Sequence, residues 1–255
     1  MTASRSDSMG GGGRETGGPE PGAVTVADTV RWLHDEGLVR LAGVADRMPS
    51  LVAAYTVDVA TGTVVAHPAT GAGVGSDVVT LGADDLPYPV GTAKRLVIAG
   101  VTTAEALLVV DLATTLTIAI NADRPEIVAR AWAVQLLLNS EITVTTNSAD
   151  IAIAGSSRCR QSFIPGGGGT IMNVDDTRPP ITTVTLNPTN EGPDHLDVAP
   201  DGTAEMYLGA RFWQLRQIMS IDDAAWSALA ARLEAPDEDP SIRSASSNRQ
   251  PAERL

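Results

Sequence analysis

The chain has 255 residues and a formal net charge of −13, from 18 Lys and Arg against 31 Asp and Glu. This acidity argues against a nucleic-acid partner, because it would repel a phosphate backbone. Hydrophobic residues make up 43% of the chain and Cys159 is its only cysteine. The composition therefore excludes an intramolecular disulfide and predicts a soluble globular protein of a reducing compartment, the cytoplasm.

Both ends of the chain differ from its middle. Residues 1–22 and 236–255 are rich in Gly, Ser, Pro and charged residues without an apolar period, so we expect disordered tails. The first tail also lacks the apolar core of a signal peptide. The longest apolar run, from Leu107 to Ile120, contains Asp111 and is shorter than the ~18 residues of a membrane-spanning helix. We therefore expect core strands there and no membrane insertion.

Residues 23–92 predict a small α+β subdomain that begins with a helix. Apolar residues recur at helical spacing from Val26 to Met48. Gly37 is a point where this helix could divide in two. The prolines and glycine between residues 82 and 92 resist both helix and central strand, and they predict the boundary of the subdomain.

The same subdomain contains a predicted hairpin. Leu51 to Val59 alternates as a strand should, and Thr63 to Ala66 follows after a short turn. Val78 to Leu81 could add a third strand.

Residues 93–235 predict a larger mixed-sheet domain, so the chain is expected to have an α/β (α+β) fold. Three short apolar runs after Arg95 are followed by a helix from Asp123 to Leu138 and by a strand from Glu141 to Thr146, which gives a β-α-β unit. A final helix is expected to begin at an N-cap, Ser220. The remaining predicted strands are Ile151 to Ala154, Thr170 to Val174, Ile181 to Leu186 and Ala204 to Leu208.

The most unusual local sequence is GSSRCRQSFIPGGGGT, residues 155–170. Arginine beside exposed backbone amides is a common way to bind a small anion. The phosphate-loop lysine is missing, so the alternative is a flexible loop with solvated arginines. The candidate anion-binding residues are Arg158, Arg160, Gly166, Gly167, Gly168 and Gly169.

Cys159 raises a second hypothesis, a nucleophilic triad with His195 and either Asp194 or Asp197. The flanking arginines would lower the pKa of the thiol. The alternative is an inert small hydrophobic residue or a surface thiol. The three histidines have no zinc-site spacing and the acidic clusters match no calcium loop, so the sequence predicts no metal and no cofactor.

Aromatic and arginine residues cluster near the end of the predicted sheet. Tyr207, Phe212 and Trp213 stand beside Arg211 and Arg216. Such pairing is typical of interface hot spots, and these five residues are the candidate interface. The same composition also fits the edge of an ordinary core.

The stretch RLVIAGVTTAEALLVVDLATTLTIAINADRPEIVARAWAVQLLLNSEITVTTN resembles a strand, strand, helix, strand module of actinobacterial regulatory and secretion-associated proteins. With SSRCRQSFIPGGGG and PDHLDVAPDGTAEMYLGARFWQL downstream, residues 95–233 resemble a mycobacterial protein family encoded near type VII (ESX) secretion genes. The resemblance implies an accessory role and no site residue. We therefore expect a non-catalytic binding or accessory protein with a protein partner. The alternative is a binding protein or an enzyme that holds a small molecule or nucleotide at the anion loop.

Overall fold

The structure is a computed structural model that describes residues 24–69, 78–88, 95–165, 169–175, 179–190 and 192–234. Both predicted tails lie outside these residues. The described chain forms one mixed, mostly antiparallel sheet with packed helices, and this α+β fold confirms the predicted class. Among the described residues, no helix is long and apolar enough to cross a bilayer.

In the part of the chain that the structure describes, the α-helices are α1 (Val26–Trp32), α2 (Leu38–Ala45), α3 (Pro125–Leu137) and α4 (Asp223–Glu234). The strands are β1 (Val52–Asp58), β2 (Val64–Pro68), β3 (Val79–Leu81), β4 (Leu96–Thr102), β5 (Ala106–Asp111), β6 (Thr117–Asn121), β7 (Val144–Thr146), β8 (Cys159–Gln161), β9 (Thr170–Val174), β10 (Thr182–Leu186), β11 (His195–Val198), β12 (Ala204–Leu208) and β13 (Arg211–Ile218). Their order in the sheet is β3-β2-β1-β5-β4-β13-β12-β11-β6-β10-β9-β7-β8.

The N-terminal helix forms as predicted and continues through Gly37. A π-helical turn, Leu33–Gly37, joins α1 to α2, and Gly37 keeps helical backbone angles. Thr25 caps the first turn in a reciprocal arrangement. Its hydroxyl accepts from the Asp28 amide at 3.2 Å, and the Asp28 carboxylate accepts from the Thr25 amide at 3.1 Å.

The predicted hairpin is present, because β1 and β2 pair antiparallel and β3 extends the pair. On its other edge β1 pairs with β5, so one sheet contains strands from both sides of the boundary expected at residues 82–92. The described part of that segment contains a short 3-10 turn, Ala83–Asp85. The division into two domains stays a prediction.

The predicted β-α-β unit is also present. β6 runs parallel to β10, β10 antiparallel to β9, and β9 antiparallel to β7. The two strands that flank α3, β6 and β7, therefore run parallel, with β10 and β9 between them.

The sheet curls around α3. Trp132 of this helix is completely buried and packs in the inner core. Arg95 before β4 donates to Asp175 after β9 at 2.7 Å, and His67 of β2 contacts Trp213 of β13 with ring centroids 5.2 Å apart. Several strands separate each of these pairs within the sheet. The face toward α3 is therefore concave, and we call it the inner face.

The sheet separates two apolar clusters. The inner cluster contains side chains of α3, α4, β1 and β4–β13. The outer cluster joins α1 and α2 to the opposite face of β1, β2, β4 and β5. Leu33, Leu41 and Tyr55 are fully buried there, and the Tyr55 hydroxyl donates to the Leu41 carbonyl at 2.9 Å. Burial raises the pKa of Tyr55. The N-terminal helices thus cover the outer face over the first strands.

One predicted strand is wrong and three observed strands were not predicted. Residues 151–154 form a turn, although Ile151 and Ile153 are buried. Their side chains pack in the inner cluster without any strand pairing, which explains the apolar pattern. The strands β8, β11 and β13 were missed because charged and polar residues interrupt their apolar positions.

The cap of α4 also differs from the prediction. The helix begins at Asp223, and the Asp222 carboxylate accepts from the Ala225 amide at 2.8 Å. Asp222 is therefore the N-cap in place of Ser220, since a carboxylate satisfies a first-turn amide as well as a hydroxyl does.

Candidate functional site

Over the C-terminal strands, the outer face of the sheet differs from the face over the N-terminal strands in the cover that the described helices give it. None of the described helices packs on the outer face of β6 or β10–β13. Side chains point to alternate faces along a strand. Leu196, Met206 and Leu215 point into the inner cluster, so the residues next to them point outward. We call these outward side chains the open face: Asn121 of β6, Thr183 and Thr185 of β10, His195 and Asp197 of β11, Glu205 and Tyr207 of β12, and Phe212 and Gln214 of β13.

Three aromatic rings form a ladder across this face. His195 stacks on Tyr207 with centroids 4.5 Å apart and 22° between the ring planes. Tyr207 contacts Phe212 at 5.0 Å with a tilt of 41°. The rings belong to residues directly opposite each other on β11, β12 and β13. Phe212 is 46% exposed, so the ladder ends in an apolar ring that solvent can reach.

A row of carboxylates and amides lies beside the ladder. Asp197 and Glu205 are directly opposite on β11 and β12, with Asn121 and Gln214 at the two ends of the row. Asn121 Nδ2 donates to Asp197 Oδ1 at 2.7 Å. The Tyr207 hydroxyl donates to Glu205 Oε2 at 2.7 Å, which raises the pKa of Tyr207. Like charges placed opposite each other on neighbouring strands repel.

Arg216 stands at one end of the open face on a β-bulge. The register between β13 and β4 shifts between Leu215 and Gln217, so Arg216 is the extra residue. Such bulges re-aim a side chain. Gly100 of β4 faces the bulge, and a Cβ there would clash with the Gln217 carbonyl oxygen. The Arg216 guanidinium donates to Glu105 at 2.8 Å.

Two adjoining clefts share Arg216. The first has a volume of about 520 Å³ and is lined by Asp197, Glu205 and Gln214. The second, of about 470 Å³, extends to the start of α3 at Arg124. Volumes of this size accommodate a small ligand or a side chain of a partner.

The structure divides the five predicted interface residues between the two faces. Tyr207 and Phe212 lie on the open face, and Arg216 lies at its end. Trp213 points inward and packs half-buried against the inner cluster. Arg211 donates to the last carbonyl of β2 at 3.0 Å. Three of the five therefore share one surface, and their role in binding stays a prediction.

Arg158 of the predicted anion loop binds the C-terminal end of α3. Its Nη2 donates to the Leu137 and Asn139 carbonyls at 2.7 and 2.5 Å, and its Nε donates to the Ile142 carbonyl at 3.2 Å. A cation at this position satisfies carbonyls that the helix leaves free and suits its dipole. These Arg158 donors therefore already form hydrogen bonds with backbone carbonyls of the same chain.

The other residues of the predicted loop are only partly described. Arg160 is exposed on β8, opposite Thr145 of β7. Gly169 precedes β9, and its carbonyl accepts from Asn147 Nδ2 at 2.8 Å. Residues 166–168 lie outside the described residues. Anion binding by this loop stays a prediction.

Cys159 is fully buried, and burial raises the pKa of its thiol to about 11. This is opposite to the lowering expected from its arginine neighbours, because the thiol is removed from water. Cys159 faces the inner cluster on β8, whereas His195 faces outward on β11, five strands away. The structure therefore does not assemble the hypothesised triad.

The sequence patterns do not single out Glu205, and they place Asp197 and His195 only in the hypothesised triad and in clusters without metal-site spacing. The sequence does contain a signal that predicts a hairpin with these residues. Asp201-Gly202 is a typical hairpin turn dipeptide, and the segments on both sides of it alternate polar and apolar residues. Pairing those segments would have predicted β11 and β12 and placed the two carboxylates on one face.

No family model matches this chain, and no curated protein or solved structure matches it. Within the described ranges, no group of three or more His, Cys, Asp or Glu is placed to hold a metal ion. The function is therefore inferred from the geometry of the chain itself.

Proposed function

We propose that this chain is a non-catalytic binding protein that docks a protein partner on the open face. The supporting observation is the uneven cover of one sheet face. The helices α1 and α2 pack over its first strands, whereas no described helix packs over its last strands. A water-facing sheet surface is expected to be polar, yet this one presents the ring of Phe212.

The ladder suits docking because its rings are already ordered. His195, Tyr207 and Phe212 stack on each other in the free chain. Aromatic side chains supply large contact areas with few rotatable bonds, and pre-ordered rings lose little entropy on binding. The adjoining cleft of about 520 Å³ gives a partner side chain a place to insert.

The proposal is tested by photo-cross-linking in the full chain. A benzophenone amino acid replaces Phe212 on the open face or, as a control, Tyr88, which is 83% exposed and does not belong to the open face. Both chains are irradiated in an actinobacterial lysate. We expect a discrete adduct that forms at position 212, is absent at position 88, and disappears when Tyr207→Ser is added.

Two results would contradict docking on the open face. One is the same set of adducts from both positions, which indicates random collision. The other is a discrete adduct at position 212 that Tyr207→Ser leaves unchanged.

We further propose that the partner belongs to a cytoplasmic step of type VII secretion. The resemblance of residues 95–233 to the secretion-associated family supports this assignment, as does the reduced thiol of Cys159. Mass spectrometry of the adduct at position 212, formed in mycobacterial cells, is expected to identify a type VII component. An adduct with an unrelated protein would remove the link to secretion and leave the docking face intact.

A further inference from the structure

The charges of the open face define the chemistry of the partner, and this inference rests on the proposed function. We propose that the partner docks through a basic segment and seats an Arg or Lys side chain over Asp197 and Glu205, beside the aromatic ladder.

The first reason is the placement of two carboxylates directly opposite each other on β11 and β12. Among the described residues, neither Asp197 nor Glu205 forms an ion pair with Arg or Lys. His195 Nε2 lies 3.7 Å from Asp197 Oδ2. Opposed like charges on a sheet destabilise the free chain. A cation from outside would remove that repulsion and gain two charge-assisted contacts.

The second reason is that the described lining of the adjoining cleft contains no free cation. Arg216 is the basic residue that lines the first cleft, and its guanidinium is already paired with Glu105 at 2.8 Å. Asp197 and Glu205 line the same cleft. The cleft is therefore net negative, with about 520 Å³ of space for a long side chain.

The third reason is the aromatic surface next to the carboxylates. Tyr207 and Phe212 contact each other one row away from Glu205. A guanidinium or ammonium group gains from the face of an aromatic ring while its methylene chain covers apolar surface. Such a side chain can use the carboxylates and the rings together.

The overall charge of the chain favours the same partner. The net charge is −13, and residues 1–22 and 234–255 contain five Arg against eight acidic residues, which leaves about −10 for the middle. A chain with this charge steers basic partners toward its surface and repels a second copy of itself. The charge complementarity therefore favours a basic partner over self-association.

The test titrates the full chain with a capped octapeptide of alternating Gly and Arg, followed by amide chemical shifts. A peptide of the same length with citrulline in place of Arg is the control, since it keeps the shape and removes the charge. We expect shifts at His195, Glu205 and Tyr207 with the arginine peptide alone, and binding that weakens as salt rises.

Two double variants separate a local site from general acidity. Asp197→Asn with Glu205→Gln is expected to weaken binding about tenfold or more, because two charge-assisted contacts are lost. Asp84→Asn with Asp85→Asn changes the net charge equally at exposed positions in another part of the chain and is expected to leave affinity within about twofold.

Equal weakening by both double variants, equal binding of the citrulline peptide, or no shift at the three residues would overturn the inference. These results are distinct from failure of the proposed function. A discrete adduct at position 212 that persists in Asp197→Asn with Glu205→Gln would retain the docking face and refute the basic partner. Arginine-dependent shifts without that adduct would retain the cation preference and refute the docking of a protein partner.

Discussion

The N-terminal and C-terminal strands of the sheet share an inner core and differ on the outer face. β4 is buried on both faces, and its sequence LVIAGVT is almost continuously apolar. β12 is buried on one face, and its sequence AEMYL alternates. Strands covered on both sides are typically continuous apolar runs, whereas strands that face water alternate. The alternation therefore marks the strands whose outer face no described helix covers.

The comparison also separates two kinds of outward residue. Thr183 and Thr185 of β10 are ordinary polar residues for a solvated sheet. Phe212 is a large apolar residue at an outward position and is 46% exposed. Scattered exposed apolar residues are common in proteins, but this one completes a stacked row beside two opposed carboxylates. The combination supports an interaction surface.

The largest expected effect lies in the covered half. Leu41→Ala removes a fully buried side chain between α2 and the sheet and should lower the free energy of unfolding by about 2–5 kcal/mol, measured by urea denaturation. Leu51→Ala is the matched control, because Leu51 is 71% exposed. Equal losses from both variants would show that α1 and α2 do not cover the outer face as described.

The next effect is expected at the bulge between the two halves. Gly100→Ala places a Cβ against the Gln217 carbonyl oxygen and should cost about 1–3 kcal/mol, because backbone has to shift. Gly192→Ala is the control, since a Cβ there meets nothing within 4 Å. A neutral Gly100→Ala variant would contradict the bulge that positions Arg216.

The contact between β2 and β13 should make stability depend on pH. Burial, together with the charge of Arg211, lowers the pKa of His67 to about 4 from its ordinary value of 6.5. Between pH 6.5 and 4 the unfolded chain binds more protons at this residue than the folded chain does, so stability falls as pH falls through that range. The loss attributable to His67 should be on the order of 1 kcal/mol, since water contact at the ring reduces the full 1.36 kcal/mol per pKa unit.

The variant that checks this assignment is His67→Gln. Unfolding curves at several pH values should show a shallower decrease for the variant than for the native chain. Identical pH profiles would mean that His67 is not desolvated, and that the two halves do not close on each other at this point.

The smallest effect is expected on the open face. Phe212→Ser should change the free energy of unfolding by only about 0.5 kcal/mol, because a half-exposed ring on an uncovered sheet contributes little to folding. The same variant should abolish partner adducts formed at a neighbouring open-face position such as Gln214. A loss of several kcal/mol would instead place Phe212 in the core.

Local patterns predicted most of the elements, and long-range pairing explains the rest. The α3 helix was predictable from Pro125 and its apolar spacing. The burial of this helix on all sides was not predictable, because it depends on the curl of the sheet. That curl depends on contacts such as that of Arg95 with Asp175, which lie far apart in sequence.

The candidate site shows the same limit. Tyr207, Phe212 and Arg216 were recognised from composition, but their separation from Arg211 and Trp213 depends on the pairing of β13 with β12. The role of Arg158 at the end of α3 depends on a turn that brings it back to Leu137. No local pattern of residue types specifies either contact.

The most direct test of the open face measures the hydroxyl-radical oxidation rates of Tyr207 and Phe212 in the full chain, with and without the arginine octapeptide. Tyr88 and Tyr55 serve as exposed and buried references in the same sample. We predict that Phe212 reacts readily in the free chain, that Tyr55 does not, and that the peptide protects Tyr207 and Phe212 while Tyr88 stays unchanged. A Phe212 ring as unreactive as Tyr55, or one that the peptide fails to protect, would contradict an open face that receives a basic partner.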